Sequence, residues 1–141
     1  MLDKFQKALN DATDFVKTQA SNLGEGAKDK AYQIIEDWLQ VFPDFEAYGL
    51  KISSFALSVA ISPALEVEMV GQHENFPKER LDAIIKEVRN NAALTSVFTT
   101  VRSTYGLHRR FNPTFNDPLI VKLKIRISPE IKVYIGEPLI E

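Results

Sequence analysis

Cysteine is absent from this 141-residue chain. Disulfides, thiolate metal sites and cysteine nucleophiles are therefore excluded. Histidine is nearly as scarce. His73 and His108 are the two present, and neither has a partner at metal-ligand spacing. Net charge is lacking too: 17 Lys and Arg against 19 Asp and Glu leave −2. The overall positive field that carries nucleic-acid binding is missing, so any such role needs a local patch. No apolar run approaches the roughly 18 residues of a membrane-spanning helix. Residues 1–20 interleave charged and apolar side chains and lack the continuous apolar stretch of a secretory signal. We expect a cytoplasmic protein without a cofactor. A hydrophobic content of 45% over this length fits one domain whose core needs neither metal nor disulfide.

What is present begins with a helix. Leu2, Phe5, Leu9, Ala12, Val16, Gln19 and Leu23 step alternately by three and four residues, a heptad seam. Asn22 and Gly24 stop it, and Gly24-Glu25-Gly26 reads as a joint. Residues 1–23 therefore form an amphipathic helix ahead of a domain at 27–141. A helix of this length is marginal alone in water, so its seam must bury against something. Its own domain, a second copy or a partner protein would serve. A membrane surface is disfavoured. Lys4, Lys7, Lys17, Lys28 and Lys30 are balanced by Asp3, Asp11, Asp14, Glu25 and Asp29, whereas interfacial helices carry net positive charge.

A second helix is predicted from Ala27 to Phe42, with Ala31, Ile34, Ile35, Trp38, Leu39 and Phe42 on one face and Pro43 ending it. The period then changes to two. Phe55, Leu57, Val59 and Ile61 alternate with small residues, Ser62-Pro63-Ala64 turns, and Leu65, Val67 and Met69 alternate with Glu66 and Glu68. This predicts a hairpin with Ile61 opposite Leu65, Val59 opposite Val67 and Leu57 opposite Met69. Leu50 and Ile52 lie in the other phase, which predicts a bulge at Ser53-Ser54. Pro77 opens a long helical stretch that slips phase at Asn90-Asn91, where a kink or break is expected. Helix is predicted over 94–104, with a strand as the alternative because Thr and Val are frequent there. A second hairpin follows: Leu123, Ile125 and Ile127, then Ser128-Pro129-Glu130, then Ile131, Val133 and Ile135.

The two hairpins align without gaps from Leu57–Met69 to Leu123–Ile135 and share the turn Ile-Ser-Pro. Each follows a helical stretch that closes on Tyr-Gly-Leu, at Tyr48 and at Tyr105. We expect a duplicated αββ unit, repeat one at about 27–71 and repeat two at about 77–137. The expected fold class is α+β, a four-stranded antiparallel sheet with helices on one face. On the other face Glu66 and Glu68 would meet Lys122, Lys124, Arg126 and Lys132, contributing about 0.2–1 kcal/mol for each exposed pair.

Three surfaces are candidates for function. The seam residues Leu2, Phe5, Leu9 and Val16, with the open sheet face, would serve self-association or docking of another protein. The loop Leu107–Pro118 gathers His108, Arg109, Arg110 and Phe111 beside Phe115, with Arg102 one turn before Tyr105. Basic and aromatic residues so mixed suit an anionic ligand or single-stranded nucleic acid. Three arginines and one histidine are few for nucleic acid, however, and a solvated loop anchored by its phenylalanines is the plain alternative. An apolar ligand between helices and sheet, lined by Trp38 and phenylalanines, is a further possibility. Catalysis ranks last. His73-Glu74 reads as an exposed turn, and Glu66 with Glu68 as carboxylates kept ionised by lysines. The leading expectation is a non-enzymatic interaction or assembly protein.

Overall fold

A computed structural model describes residues 25–59 and 62–140. The heptad segment, with Leu2, Phe5, Leu9 and Val16, lies outside them. The described elements are α1 (Glu25–Leu39), α2 (Phe42–Tyr48), β1 (Lys51–Ser58), β2 (Ala64–Gly71), a 3-10 turn (His73–Asn75), α3 (Lys78–Glu87), α4 (Ala92–Arg109), β3 (Leu119–Ile125) and β4 (Glu130–Ile135). The chain is α+β, and its four strands form one antiparallel sheet in the order β1-β2-β3-β4.

Among the described residues, both expected helical stretches are split in two. The first does not run to Phe42. It stops at Leu39, and Pro43 sits in the first turn of α2 instead of ending a helix. Proline is tolerated there because the N–H it lacks has no partner in a first turn anyway. Gly49, at φ 112°, closes α2. Its N–H and that of Leu50 both return to the Phe45 carbonyl, and Leu50 and Phe45 are fully buried together. This is a Schellman end, in which a left-handed glycine lets the following residue reach back. The second stretch breaks at 88–91 as the phase slip suggests, and 94–104 is helix. Asn91 caps α4 by accepting the Leu94 N–H at 3.0 Å, and Thr95 donates back to the Val88 carbonyl at 2.9 Å.

The matched Tyr-Gly-Leu tripeptides are not equivalent. Gly49 is a left-handed cap, whereas Gly106 lies inside α4, which runs on to Arg109. Their identity is a match of letters without a shared conformation.

The bulge falls where expected. Register moves between Ile52↔Met69 and Ser54↔Glu68, leaving Ser53 extra, and the Ser53 hydroxyl donates to Glu68. The hairpin register differs from expectation by four residues. Leu57 faces Leu65, Phe55 faces Val67 and Ile52 faces Met69. An even slip keeps the paired side chains on their faces, so Phe55, Leu57, Leu65, Val67 and Met69 remain on the core side. The reason is the turn proline. Pro63 and Pro129 have no N–H for the ladder, and each holds the serine before it extended. Pairing resumes at the residue after each proline, Ala64 and Glu130. Val59 and Ile127, assigned to strands by periodicity, are left 49% and 40% exposed. The second hairpin has the matching register, with Leu123 opposite Ile131 and Val121 opposite Val133.

The core lies on the face made by Leu65, Val67, Met69, Leu119, Val121, Leu123 and Ile125, against Ile35, Trp38, Phe45, Leu81, Ile84, Phe98, Val101 and Tyr105 from the helices. The other face is built of ion pairs. Glu68 stands opposite Lys122 and Glu66 opposite Lys124, each pair 3.9 Å apart. Beside them Tyr134 is buried beneath the Lys122 ammonium, which lies 5.1 Å from its ring centre. Its hydroxyl has no hydrogen-bond partner among the described residues. A buried unpaired hydroxyl costs about 1–3 kcal/mol. Tyr134→Phe is therefore expected to raise the unfolding free energy by about 1 kcal/mol, measured by urea denaturation. A loss of stability would show that the hydroxyl is satisfied.

Candidate functional site

α4 carries the candidate surface at its C-terminal end. Leu94, Val97, Phe98, Val101 and Tyr105 hold one stripe of this helix in the core. Leu107, His108, Arg109 and Arg110 therefore emerge at its last turn, where His108 and Arg109 meet the negative end of the helix dipole. Three short backbone bonds turn the chain: Arg110 N–H to the Leu107 carbonyl, and Phe111 and Asn112 N–H to the His108 carbonyl. The His108 Nδ1 donates to the Asn112 carbonyl at 3.0 Å, and Asn112 Oδ1 accepts the Thr114 N–H. The expected loop Leu107–Pro118 is thus shorter than its sequence suggests, with its first three residues helical.

Phe115 then folds back onto the helix. Its ring lies 4.7 Å from Tyr105, 4.9 Å from His108 and 5.4 Å from His73. Arg109 covers this stack, with its guanidinium 5.3 Å from the Phe115 ring centre and 5.8 Å from that of Tyr105. Such contacts contribute roughly 0.5–1 kcal/mol each at an exposed site. They also fix the direction in which the guanidinium points.

His73 is not in an exposed turn; its side chain is only 8% exposed. Its Nε2 lies 2.7 Å from the Asn116 carbonyl, which can only accept, so Nε2 carries the proton. Nδ1 is then an acceptor and takes the Tyr105 O–H at 2.7 Å. Of the two tautomers of an uncharged ring, the network selects the one with the proton on Nε2. The His73 backbone N–H also donates to Asp117 Oδ1 at 3.2 Å. Burial raises the Tyr105 hydroxyl above its usual range, and Asp117 adds to that while Arg109 opposes it. Both His73 nitrogens are occupied and Tyr105 is 1% exposed, so neither ring offers an open atom to a reacting group. The pair ties the 72–76 turn and the 112–118 segment to α4.

The sequence-predicted residues divide. Arg102 is not brought to the site. It lies two turns back and bonds Asp82 of α3 at 3.3 Å. His108 and Arg109 both meet Phe115 and Phe111 stacks on His108, while Arg110 adjoins them as the residue that caps α4. Arg80, Arg102 and Arg126 spend N–H groups on protein acceptors. Among the described residues Arg109 and Arg110 meet no carboxylate. Phe111 stacks on His108 at 4.6 Å yet remains 78% exposed, and Leu107, not singled out from sequence, is 64% exposed. Leu107 could have been noticed, because it lies off the buried stripe of α4. His73 and Tyr105 could not, since their meeting joins residues 32 apart.

Among the described residues no three His, Asp or Glu side chains gather as a metal site would need, and no helix is long and apolar enough to cross a membrane. Compared with known protein families, curated proteins and solved structures, the chain matches none.

Proposed function

We propose that this chain is a non-enzymatic interaction protein that docks an acidic protein segment on the corner formed by Leu107, Arg109, Arg110 and Phe111. One observation carries the reading: two large apolar side chains stand mostly in solvent beside two arginines that meet no carboxylate among the described residues, on a frame held by buried rings. Covering a side chain such as Phe111 is worth about 1.5–3 kcal/mol. Rigid aromatic and arginine anchors are the residues that dominate interface energies. Nucleic acid is the weaker reading. With Arg102 engaged elsewhere, two arginines would neutralise about two phosphates, for a log–log salt slope of roughly −1.4 on a single strand, which supports little binding at physiological salt. The acidic balance of the whole chain opposes it further.

This reading keeps the heptad seam of residues 1–23 as a second, self-associating element and places the protein in the cytoplasm. It also takes the two helix-pair-plus-hairpin units as an internal duplication. The matched hairpin registers and the shared Ile-Ser-Pro turns support that duplication.

Selection from a displayed random peptide library, counter-selected with a Phe111→Ser, Arg109→Ser double variant, tests the docking surface. Enrichment of peptides with Asp or Glu around an aromatic or leucine is expected, with at least tenfold weaker binding to the double variant. Peptides that bind both proteins equally would sink the reading. An oligonucleotide shift abolished by Arg109→Ala with Arg110→Ala would move it to nucleic acid.

A further inference from the structure

Among the described residues six large apolar side chains are exposed: Val59, Leu107, Phe111, Ile127, Leu139 and Ile140. Val59 and Ile127 lie just beyond the ends of β1 and β3. The other four form two patches. Leu107 and Phe111 flank Arg109 and Arg110 on the corner. Leu139 and Ile140 follow β4, 98% and 74% exposed, in the sequence Glu137-Pro-Leu-Ile-Glu141.

The patches are opposite in charge and alike in their apolar parts. One sets two arginines between a leucine and a phenylalanine. The other sets a leucine and an isoleucine between two glutamates. Apolar surface on both gains from being covered. Arginine with carboxylate adds a directional, charge-assisted bond, and opposite charge favours this partner over like-charged ones. The segment 137–141 thus has the acidic and apolar chemistry that the corner calls for.

Within one chain the two patches do not cover each other, since Leu139 and Phe111 both stand mostly in solvent. Their bases nevertheless adjoin. The Gly136 N–H donates to the Pro118 carbonyl at 2.9 Å, and a Cβ on Gly136 would come within 3.3 Å of the Asn116 Cβ. Asn116 follows Phe115, the ring that Arg109 covers. The segment therefore leaves the fold beside the stretch that carries the corner. For a pair of chains this adjacency is decisive. A two-fold axis brings each segment to the other chain's corner in one encounter, so both contacts form and neither is left open. Patches on opposite ends would give an open filament instead. Pro138 restricts its own φ and the conformation of Glu137, so less chain freedom is lost when the segment docks.

We propose that a second copy of this chain is the partner of the corner, residues 137–141 of each copy lying across Leu107, Arg109, Arg110 and Phe111 of the other, an assignment that rests on the docking reading above.

Light scattering of the full chain over a concentration series tests it. The wild type is expected to associate. Phe111→Ser with Arg109→Ser, and separately Leu139→Ser with Ile140→Ser, should each weaken that association at least tenfold. All four sites are exposed, so both variants should keep the fold, which circular dichroism checks. Mixed one to one, the two variants should associate more strongly than either alone, because one keeps a corner and the other a segment. Cross-linking gives a second measurement, in a sequence with no cysteine of its own. Leu107→Cys mixed with Leu139→Cys should form a disulfide between chains at least tenfold faster than Lys132→Cys mixed with Leu139→Cys. A wild type that stays at the mass of one chain at the highest soluble concentration overturns the proposal. So does an association that neither double variant weakens, as one made by the heptad seam would be, and so does equal cross-linking in the two mixtures. A chain carrying both Leu107→Cys and Leu139→Cys that closes on itself at single-chain mass would put the segment on its own corner and overturn it as well. The peptide selection reads the corner separately: acidic peptides enriched on a chain that stays single leave the docking reading standing and strike only the second copy as its occupant.

Discussion

Phe98→Ala is expected to lower the unfolding free energy by about 3–5 kcal/mol, a large share of the roughly 5–15 kcal/mol typical of a domain. The size follows from what the ring joins. Phe98 is fully buried, and its centre lies 5.9 Å from Phe45, 5.4 Å from Tyr48 in an edge-to-face arrangement, and 6.3 Å from Phe76. It therefore ties α4 to α2 and to the turn after β2. Deleting it forfeits the transfer energy of the ring and leaves a cavity that three other rings cannot all fill by shifting. Phe98→Leu retains much of the volume and should cost well under half as much. Phe111→Ala is the matched control: the same side chain, mostly in solvent, should change stability by less than about 0.5 kcal/mol. Urea denaturation of the three variants checks the set. A loss below about 1 kcal/mol for Phe98→Ala would contradict the aromatic junction described here.

Tyr105→Phe carries the second large effect, and it has a pH signature. Without the hydroxyl, His73 Nδ1 loses its donor inside the protein, at a cost of about 1–3 kcal/mol near neutral pH. The alkaline limb is more diagnostic. The folded Tyr105 pKa is raised above its ordinary value of 10.0, chiefly by burial. The folded state therefore holds this proton after the unfolded state has released it. Its contribution is fully present below about pH 10 and is lost as pH rises from there toward the folded value. The limiting slope for one such group is about 1.4 kcal/mol per pH unit. Tyr48 acts in the same direction, through burial first and then the Glu87 carboxylate. Wild-type stability should thus fall above pH 10, and Tyr105→Phe should flatten that fall without removing it. Denaturation midpoints across this range measure the slope, and tyrosinate absorbance should show Tyr105 ionising only as the chain unfolds. An unchanged slope in Tyr105→Phe would place its proton in solvent contact.

The surface reading depends on the same frame. Arg109 lies over Phe115, Phe115 over Tyr105, and Tyr105 donates to His73, so the corner is held from the core outward. Tyr105→Phe should therefore weaken peptide docking at the corner as well as stability, whereas Phe111→Ser should affect docking alone.

Local pattern determined a good deal of this protein by itself. The alternation of Leu65, Val67 and Met69 with glutamates, and of Leu123 and Ile125 with lysines, determined which face of each strand is buried. The out-of-phase Ile52 marked the bulge, the phase slip at Asn90-Asn91 marked the break before α4, and Glu66 and Glu68 were set on the same face as Lys122 and Lys124, though the register alone paired them. These features depend on neighbours a few residues away, or on charge columns whose partners are implied by strand order. Tertiary structure decided the rest. Whether Pro43 ends a helix or begins one, and how far the Ile-Ser-Pro turns open, depend on which backbone groups find partners in three dimensions. The same holds for Tyr-Gly-Leu, which is a cap at Gly49 and mid-helix at Gly106. The corner could be suspected from His108-Arg-Arg-Phe111, but Arg102 had to be seen bonded to Asp82 to be set aside. The buried link between His73 and Tyr105 had no local signature at all. A hydrogen bond between residues 32 apart exists only once the sheet, the turn and α4 have packed, because the energy that forms it comes from excluding water around both rings.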